Sequence, residues 1–314
     1  MSERVTLLSG GVGGAKLALG LYTTLGPGRL AVVANTGDDI ELFGLHISPD
    51  CDILTYTLAG RVNGETGWGI AGDTFHALGA AAELGGSGWF ALGDRDLGVH
   101  LYRTERLRAG EGLAAVTQAI ADGMGLSCTM LPMCEAPVPT QIGTDEGELH
   151  LQEYLVRRRC EPRVTAVRFD GIERATPAPG VAEAIAESGR IVIAPSNPLI
   201  SIGPILAVPG FRTLLERAEG LRIAVSPIVG GEALKGPTAQ MMRQLGYEVS
   251  PVAVAEMFRG IVDVFVVDER DAAVQGAIES LGMRCIALPA VMDSLASKQR
   301  LARELCAIER KSGR

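Results

Sequence analysis

Short, nearly unbroken aliphatic runs alternate with stretches of helical spacing along most of this chain. Val5 to Leu8 reads as a first buried strand, and Leu17, Ala18, Leu19, Leu21 and Tyr22 then fall on a helical period. Runs of the same kind recur at Leu30 to Asn35, Phe90 to Gly93, Ile191 to Ala194, Ile223 to Val225, Val262 to Val267 and Cys285 to Leu288. Strands that are apolar on both faces and separated by helices predict a parallel sheet covered on both sides. The spacing predicts covering helices over 181–188, 237–245, 252–258 and 272–281, with a long closing helix over 292–310. The fold class is therefore α/β: a doubly wound, Rossmann-like, mainly parallel sheet in a single domain spanning 1–314. Two segments break the rhythm. Residues 47–88 are rich in Asp, Gly and Trp and predict helices around a cleft, whereas 130–178 carry Pro132, Pro137 and Pro139 and the alternating Glu148-Leu149-His150-Leu151. The second segment reads as an inserted, hairpin-bearing smaller subdomain.

Composition removes several classes. Of 314 residues 47% are apolar, enough for a sizeable core, and 29 basic against 37 acidic side chains leave a net charge of −8. That charge, with only 4% aromatic residues, argues against a nucleic-acid partner. No run approaches membrane-spanning length, and the apolar stretch after Ser2-Glu3-Arg4 is too short for a secretory leader. The six cysteines (51, 128, 134, 160, 285 and 306) are scattered without a C-x-x-C pair and are expected as reduced thiols of a cytoplasmic protein. His46, His76, His100 and His150 have no metal-ligand spacing, so zinc chemistry is not expected.

The candidate chemistry starts where the first strand ends. Gly10, Gly11, Gly13 and Gly14 lie in five positions and are followed by Lys16. A glycine turn that opens a helix brings backbone N–H groups and the positive helix end to one point, which suits a phosphate. The stretch is neither a Walker loop nor a dinucleotide fingerprint, because Lys16 stands where the latter needs its third glycine. A turn that merely packs strand on helix is the competing reading. In an open parallel sheet ligands gather beyond the strand C-termini. The other loops there are Asn35-Thr36-Gly37-Asp38-Asp39 with Pro49-Asp50-Cys51-Asp52, Asp94-Arg95-Asp96, Pro195-Ser196-Asn197-Pro198, and Ser226 through Gly230, Gly231 and Lys235 to Pro237. Gly236-Pro237 fits a helix start, which would place Lys235 beside a second positive helix end. Asp38 and Asp39 suit magnesium or substrate contact, since carboxylates beside phosphates hold that ion. Asp50 reads as a cap or turn residue, and Asp52 stands where an N-cap belongs. Asp94-Arg95-Asp96 reads equally as a ligand contact or a surface ion-pair knot.

These loops in this order resemble the 2-phospho-L-lactate transferase family (CofD, or FbiA in actinobacteria), which acts in biosynthesis of the deazaflavin coenzyme F420. The likeness lies in residues 9–16, 35–39, 49–52, 68–70, 92–96, 195–198 with 201–204, and 226–228. It implies an Mg-dependent transfer of a phospholactyl or phosphoenolpyruvyl group from a guanosine-diphosphate ester to the ribityl hydroxyl of the deazaflavin Fo, giving F420-0 or its dehydro form plus GMP. It also implies a cytoplasmic homodimer. Under it, Asp52 matches the family's acidic Fo-binding position, and Asp94 and Arg95 join the Fo site. Gly10, Gly11, Gly13, Gly14, Lys16, Gly230 and Gly231 would hold the diphosphate, and Ser196, Asn197 and Pro198 the guanosine end. Lys235 would lie near the transferred group, and Asp38 and Asp39 would hold magnesium or the attacking hydroxyl. A basic Fo contact of some relatives is replaced here by Ala91. The rival from another class is a non-enzymatic, nucleotide-sugar-binding regulator of the related gluconeogenesis-factor branch. A nicotinamide oxidoreductase conflicts with Lys16.

Overall fold

A computed structural model describes residues 3–233 and 236–310 of the chain. The strands are β1 Val5–Ser9, β2 Leu30–Ala34, β3 Ile40–Leu42, β4 Leu45–Ile47, β5 Thr129–Pro132, β6 Thr140–Thr144 and β7 Gly147–His150. They continue with β8 Val164–Phe169, β9 Arg190–Ile193, β10 Leu221–Val225, β11 Ile228–Val229, β12 Glu232–Ala233, β13 Val264–Asp268 and β14 Arg284–Leu288. The helices are α1 Gly11–Leu25, α2 Pro49–Leu58, α3 His76–Glu83, α4 Asp94–Arg108, α5 Leu113–Gly123 and α6 Val181–Glu187. After them come α7 Ile202–Ala207, α8 Phe211–Arg217, α9 Thr238–Gln244, α10 Pro251–Met257, α11 Gln275–Glu279 and α12 Leu295–Ala307. Among the described residues no helix is long and apolar enough to cross a membrane.

Seven strands form the main sheet in the order β14-β13-β10-β9-β1-β2-β5, and every neighbouring pair is parallel. The aliphatic runs are continuous because both faces are covered. Leu7, Val32, Val192, Ile223 and Val266 enter one core with α1, α2 and α12, while Leu8, Val33, Ile193, Ala224 and Phe265 enter the other. The chain moves from β1 outward to β2 and β5, then returns to β9 on the other side of β1. The gap between β1 and β9 is thus the switch point, where the loops after two adjacent strands diverge and leave a crevice.

Two expectations about elements are corrected. Phe90 to Gly93 is not a strand: it is irregular and leads into α4. Thr129–Pro132 takes the edge of the sheet instead, where Pro132 withholds no ladder donor that a further strand would need. The segment expected to form a helix over 272–281 is a 3₁₀ turn, Glu269–Val274, followed by α11. Downstream of β5, β6 and β7 form an antiparallel hairpin that β8 extends into a three-stranded sheet.

Helix α1 packs closely on α12 at Gly20, where any Cβ would overlap the Lys298 carbonyl oxygen. Because that neighbour is backbone, Gly20→Ala should cost about 1–3 kcal/mol of stability through overpacking. Urea denaturation checks this, with a lowered midpoint and an unchanged slope as the expected result.

Candidate functional site

The crevice opens into a cavity of about 520 Å3. Its floor is the turn from β1 into α1. Gly11 has a φ of +65°, a conformation that side chains with a Cβ rarely adopt. At Gly10 a Cβ would meet the Asp50 carboxylate and come within 2.9 Å of Ser201 Cβ. Gly10, Gly11, Gly13 and Lys16 all line the cavity. Gly14 does not: it is buried, and its missing side chain lets β1 and the loop after β9 close on α1, since a Cβ there would overlap Ser9 and Ser196 hydroxyls. The glycine run therefore divides: Gly10, Gly11 and Gly13 line the cavity, whereas Gly14 packs strand on helix.

Asp50 caps a helix, though not its own. From the first turn of α2 its Oδ1 accepts the Gly11 N–H at 2.6 Å, at the start of α1, and its Oδ2 accepts from Asn35 Nδ2 at 2.9 Å. Asp38 faces the same space, with Gln152 Nε2 3.3 Å from its Oδ2 and Asn35 Nδ2 3.5 Å from its Oδ1. Burial, then repulsion from Asp50 and Asp39, pushes the Asp38 carboxyl well above the ordinary range. Burial outweighs its hydrogen bonds at Asp50 and pushes that carboxyl up to about 6. Asp39, expected beside Asp38 on the ligand, is turned away: its carboxylate bonds His46 Nε2 and Ser48 Oγ, both at 2.9 Å, and is absent from the cavity wall. Asp38 sits in the turn Thr36–Asp39, closed by the Asp39 N–H on the Thr36 carbonyl at 3.3 Å, and the chain reverses there so that the two neighbouring acids leave the loop in different directions.

The pair predicts a pH dependence. A carboxyl whose folded pKa lies near 6 rather than 3.8 contributes its stability below about pH 4 and loses it as pH rises through 6. The stability difference between wild type and Asp50→Asn should therefore move in favour of the variant by roughly 2–3 kcal/mol between pH 4 and pH 8. Thermal melts of the ligand-free proteins across that range are the check.

From Asp50 the cavity runs along α2, which advances about 9 Å over the next six residues. Asp52 and Tyr56 face it, joined by Asp96 and His100 of α4. Asp52 is not an N-cap; both its oxygens pair with the guanidinium of Arg103, which is 1% exposed. Asp94 and Arg95 are not in the cavity wall. The Asp94 carboxylate accepts from Thr74 Oγ1 and from the His76 and Ala77 N–H groups at the start of α3, which holds it below the usual carboxylate range. Arg95 is exposed and donates to the Ala71 carbonyl at 3.2 Å.

The loop after β9 supplies Ser196 and Asn197. Ser196 Oγ donates to the Gly10 carbonyl at 2.6 Å, stitching the two switch-point loops together, and Asn197 Oδ1 accepts from Leu199 N at 2.9 Å. Pro198 lies instead in a shallower groove with Phe169 and Leu206. Ser226, Pro227 and Pro237 share the cavity with Gly10, Gly11, Gly13 and Lys16, so the loops after β1 and β10, on either side of β9, enclose one space. Gly230 and Gly231 do not reach it. With φ of 61° and 77° they are the two-residue turn of the β11–β12 hairpin, and the Gly230 N–H donates to Asp271. Lys235 lies outside the described residues.

Sequence reasoning weighed Asp50 and Asp96 without assigning them to the site, and it missed Tyr56, His100, Arg103 and Gln152. A signal existed for three of them: Asp96, His100 and Arg103 recur at the i, i+4, i+7 spacing of one helix face. Gln152 carried none, because it arrives from the helical turn that follows β7.

A cavity at the switch point of an all-parallel, doubly wound sheet, facing the glycine-led start of α1, defines a Rossmann-like α/β ligand-binding protein. The chain belongs to the 2-phospho-L-lactate transferase CofD family, whose model matches residues 5–299. It is 42% identical over 311 residues to a phosphoenolpyruvate transferase of Streptomyces avermitilis, covering 97% of this chain and 98% of that one. It is 39% identical over 296 residues to a 2-phospho-L-lactate transferase of Methanosarcina acetivorans, covering 94% and 96%. The chain is thus an enzyme of the transferase type. In fold it is similar to a UPF0052 family protein of Bacillus halodurans, with a TM-score of 0.63 at 14% identity over 98% of this chain and 99% of that chain.

Proposed function

We propose that this chain moves a phospholactyl or phosphoenolpyruvyl group from a guanosine-diphosphate ester to the ribityl hydroxyl of Fo, in biosynthesis of coenzyme F420. The observation that carries the reading is the joining of two chemically distinct ends in one cavity: backbone amides and carboxylates around α1, and a walled polar cluster along α2 and α4. The diphosphate would lie against the Gly11–Gly13 backbone and Lys16, where the α1 dipole favours negative charge. The acceptor hydroxyl attacks the phosphorus that bears the three-carbon acid, the bond to GMP breaks, and the hydroxyl proton passes to a carboxylate. Such displacements depend on positioning and charge neutralisation.

Two carboxylates facing the cavity beside a helix N-terminus fit magnesium, which takes one or two protein carboxylates and completes its shell with phosphate and water. Among the described residues there is no group of three His, Cys, Asp or Glu side chains that would hold a metal by themselves. Asp38 would then hold the ion, with Asp50 in the place expected of Asp39. When bound, magnesium supplies positive charge to the diphosphate oxygens. Asp38 and Asp50 also set where the hydroxyl proton goes, because burial makes both stronger bases than a surface aspartate.

Titration with Fo and, separately, with UDP-sugars tests this reading against the regulator. Saturable Fo binding without a UDP-sugar response is expected; the reverse pattern would remove the transferase substrates from this chain.

A further inference from the structure

The chain from Ala59 to Ala91 contains no buried residue, although parts of it wall the α2–α4 end of the cavity. Its first part is a loop with a fixed base. Val62 and Ile70 form an isolated antiparallel bridge, the Asn63 N–H donates to the Gly69 carbonyl at 3.0 Å, and the Ala71 N–H donates to the Arg61 carbonyl at 2.7 Å. That base is held from two sides. The Arg61 N–H donates to the Tyr56 carbonyl of α2 at 2.8 Å, while the Asp73 carboxylate accepts the Arg95 and Asp96 N–H groups at the start of α4. Trp68 stands at the tip between Gly67 and Gly69, whose φ values are 77° and 70°. A Cβ added at Gly64 or Gly69 would meet nothing within 4 Å, so the tip is unpacked there. Trp68 is 49% exposed, yet it lines the cavity, as do Leu155 and the exposed Val156 of the helical turn after β7. A short surface loop with a tied base and an unpacked tip opens at little cost in free energy.

We propose that residues 62–70 are a flap that closes over the α2–α4 end of the cavity when a planar ring is bound, laying the Trp68 indole against that ring. The inference rests on the transferase reading for the identity of the ring, the deazaflavin of Fo. The indole keeps about half its surface in water, and a bound ring removes that surface while adding the attraction of two offset π systems. The left-handed glycines on either side let the indole swing while the base stays tied. Closure carries the tip towards Leu155 and Val156, so two apolar rims shut water out of the site of transfer.

The test follows amide hydrogen exchange over residues 62–70 in wild type alone, with Fo and with GDP, alongside Fo and GDP affinities and thermal melts of Trp68→Ala and Trp68→Phe. Fo should slow exchange across the loop severalfold, and GDP alone should not. Trp68→Ala should weaken Fo binding about tenfold with GDP affinity within about twofold, and Trp68→Phe should recover part of the loss. Both variants should melt with wild type, because the side chain they replace is not buried. Unchanged exchange over 62–70 with Fo bound, or unchanged Fo affinity in Trp68→Ala, would overturn the flap alone. Slowed exchange on raising the protein concentration without ligand would also overturn it, since a second copy would then be what covers the tip. Failure of wild type to bind Fo would overturn the transferase reading together with it.

Discussion

Asp38→Asn should lower the rate of group transfer about a thousandfold while leaving Fo affinity within a few-fold. The change keeps the shape of the side chain and removes its charge. Asp38 is buried, faces the cavity and is repelled by Asp50 and Asp39, so its ionised form is costly until positive charge and diphosphate arrive. Charge placed against a developing transition state in a water-poor site is worth roughly 3–4 kcal/mol, which corresponds to the stated loss. Under the proposed function Fo would bind at the other end of the cavity, along α2 and α4, where the Asp38 charge acts only through its repulsion with Asp52, the smallest of the repulsions it feels. The ligand-free variant should also melt at a higher temperature at pH 8, because a repelled buried carboxylate has gone. Single-turnover rates with saturating Fo make the measurement; retention of the wild-type rate would remove Asp38 from any role with magnesium or the hydroxyl.

Arg103→Met should cost about 3–5 kcal/mol of folding stability, the second largest effect expected here. Arg103 and Asp52 are 1% and 5% exposed, and the guanidinium is hydrogen-bonded to both carboxylate oxygens. Removing one partner strands the other's charge in the interior. Replacing both, in Asp52→Leu with Arg103→Met, should recover most of that loss, because two apolar groups of similar volume leave no charge unmet. Chemical denaturation of the two singles and the double closes the cycle. Additive losses would show that the pair is not coupled.

The sheet was legible in the sequence because its strands are buried on both faces and read as aliphatic runs with nothing polar to interrupt them. The two errors in the sheet share one cause. Phe90 to Gly93 and Thr129 to Pro132 are both four-residue segments, too short for periodicity to separate strand from coil, and only the neighbour available at β2 decides between them. The glycine turn was legible as a switch-point loop, yet which glycines face the ligand depends on the approach of Ser9 and Ser196, which are 187 residues apart in sequence (196 − 9). Gly230-Gly231 looked like a second phosphate loop because hairpin turns and phosphate loops call for the same backbone freedom. The pairing of Asp52 with Arg103 and the reach of Asp50 to Gly11 are tertiary contacts, invisible along the chain. Asp39 was misplaced for a simpler reason: the turn Thr36–Asp39 sends the two neighbouring acids in different directions.

The central claim is that one cavity joins a diphosphate ester at the α1 turn to a deazaflavin alcohol beside α4. Incubation with Fo, a guanosine-diphosphate ester of lactate or enolpyruvate and magnesium, followed by mass analysis of the deazaflavin, tests it most directly. A deazaflavin heavier by the phospholactyl or phosphoenolpyruvyl group, formed one for one with GMP, is the predicted result. Recovery of unchanged Fo with every such donor would contradict the account.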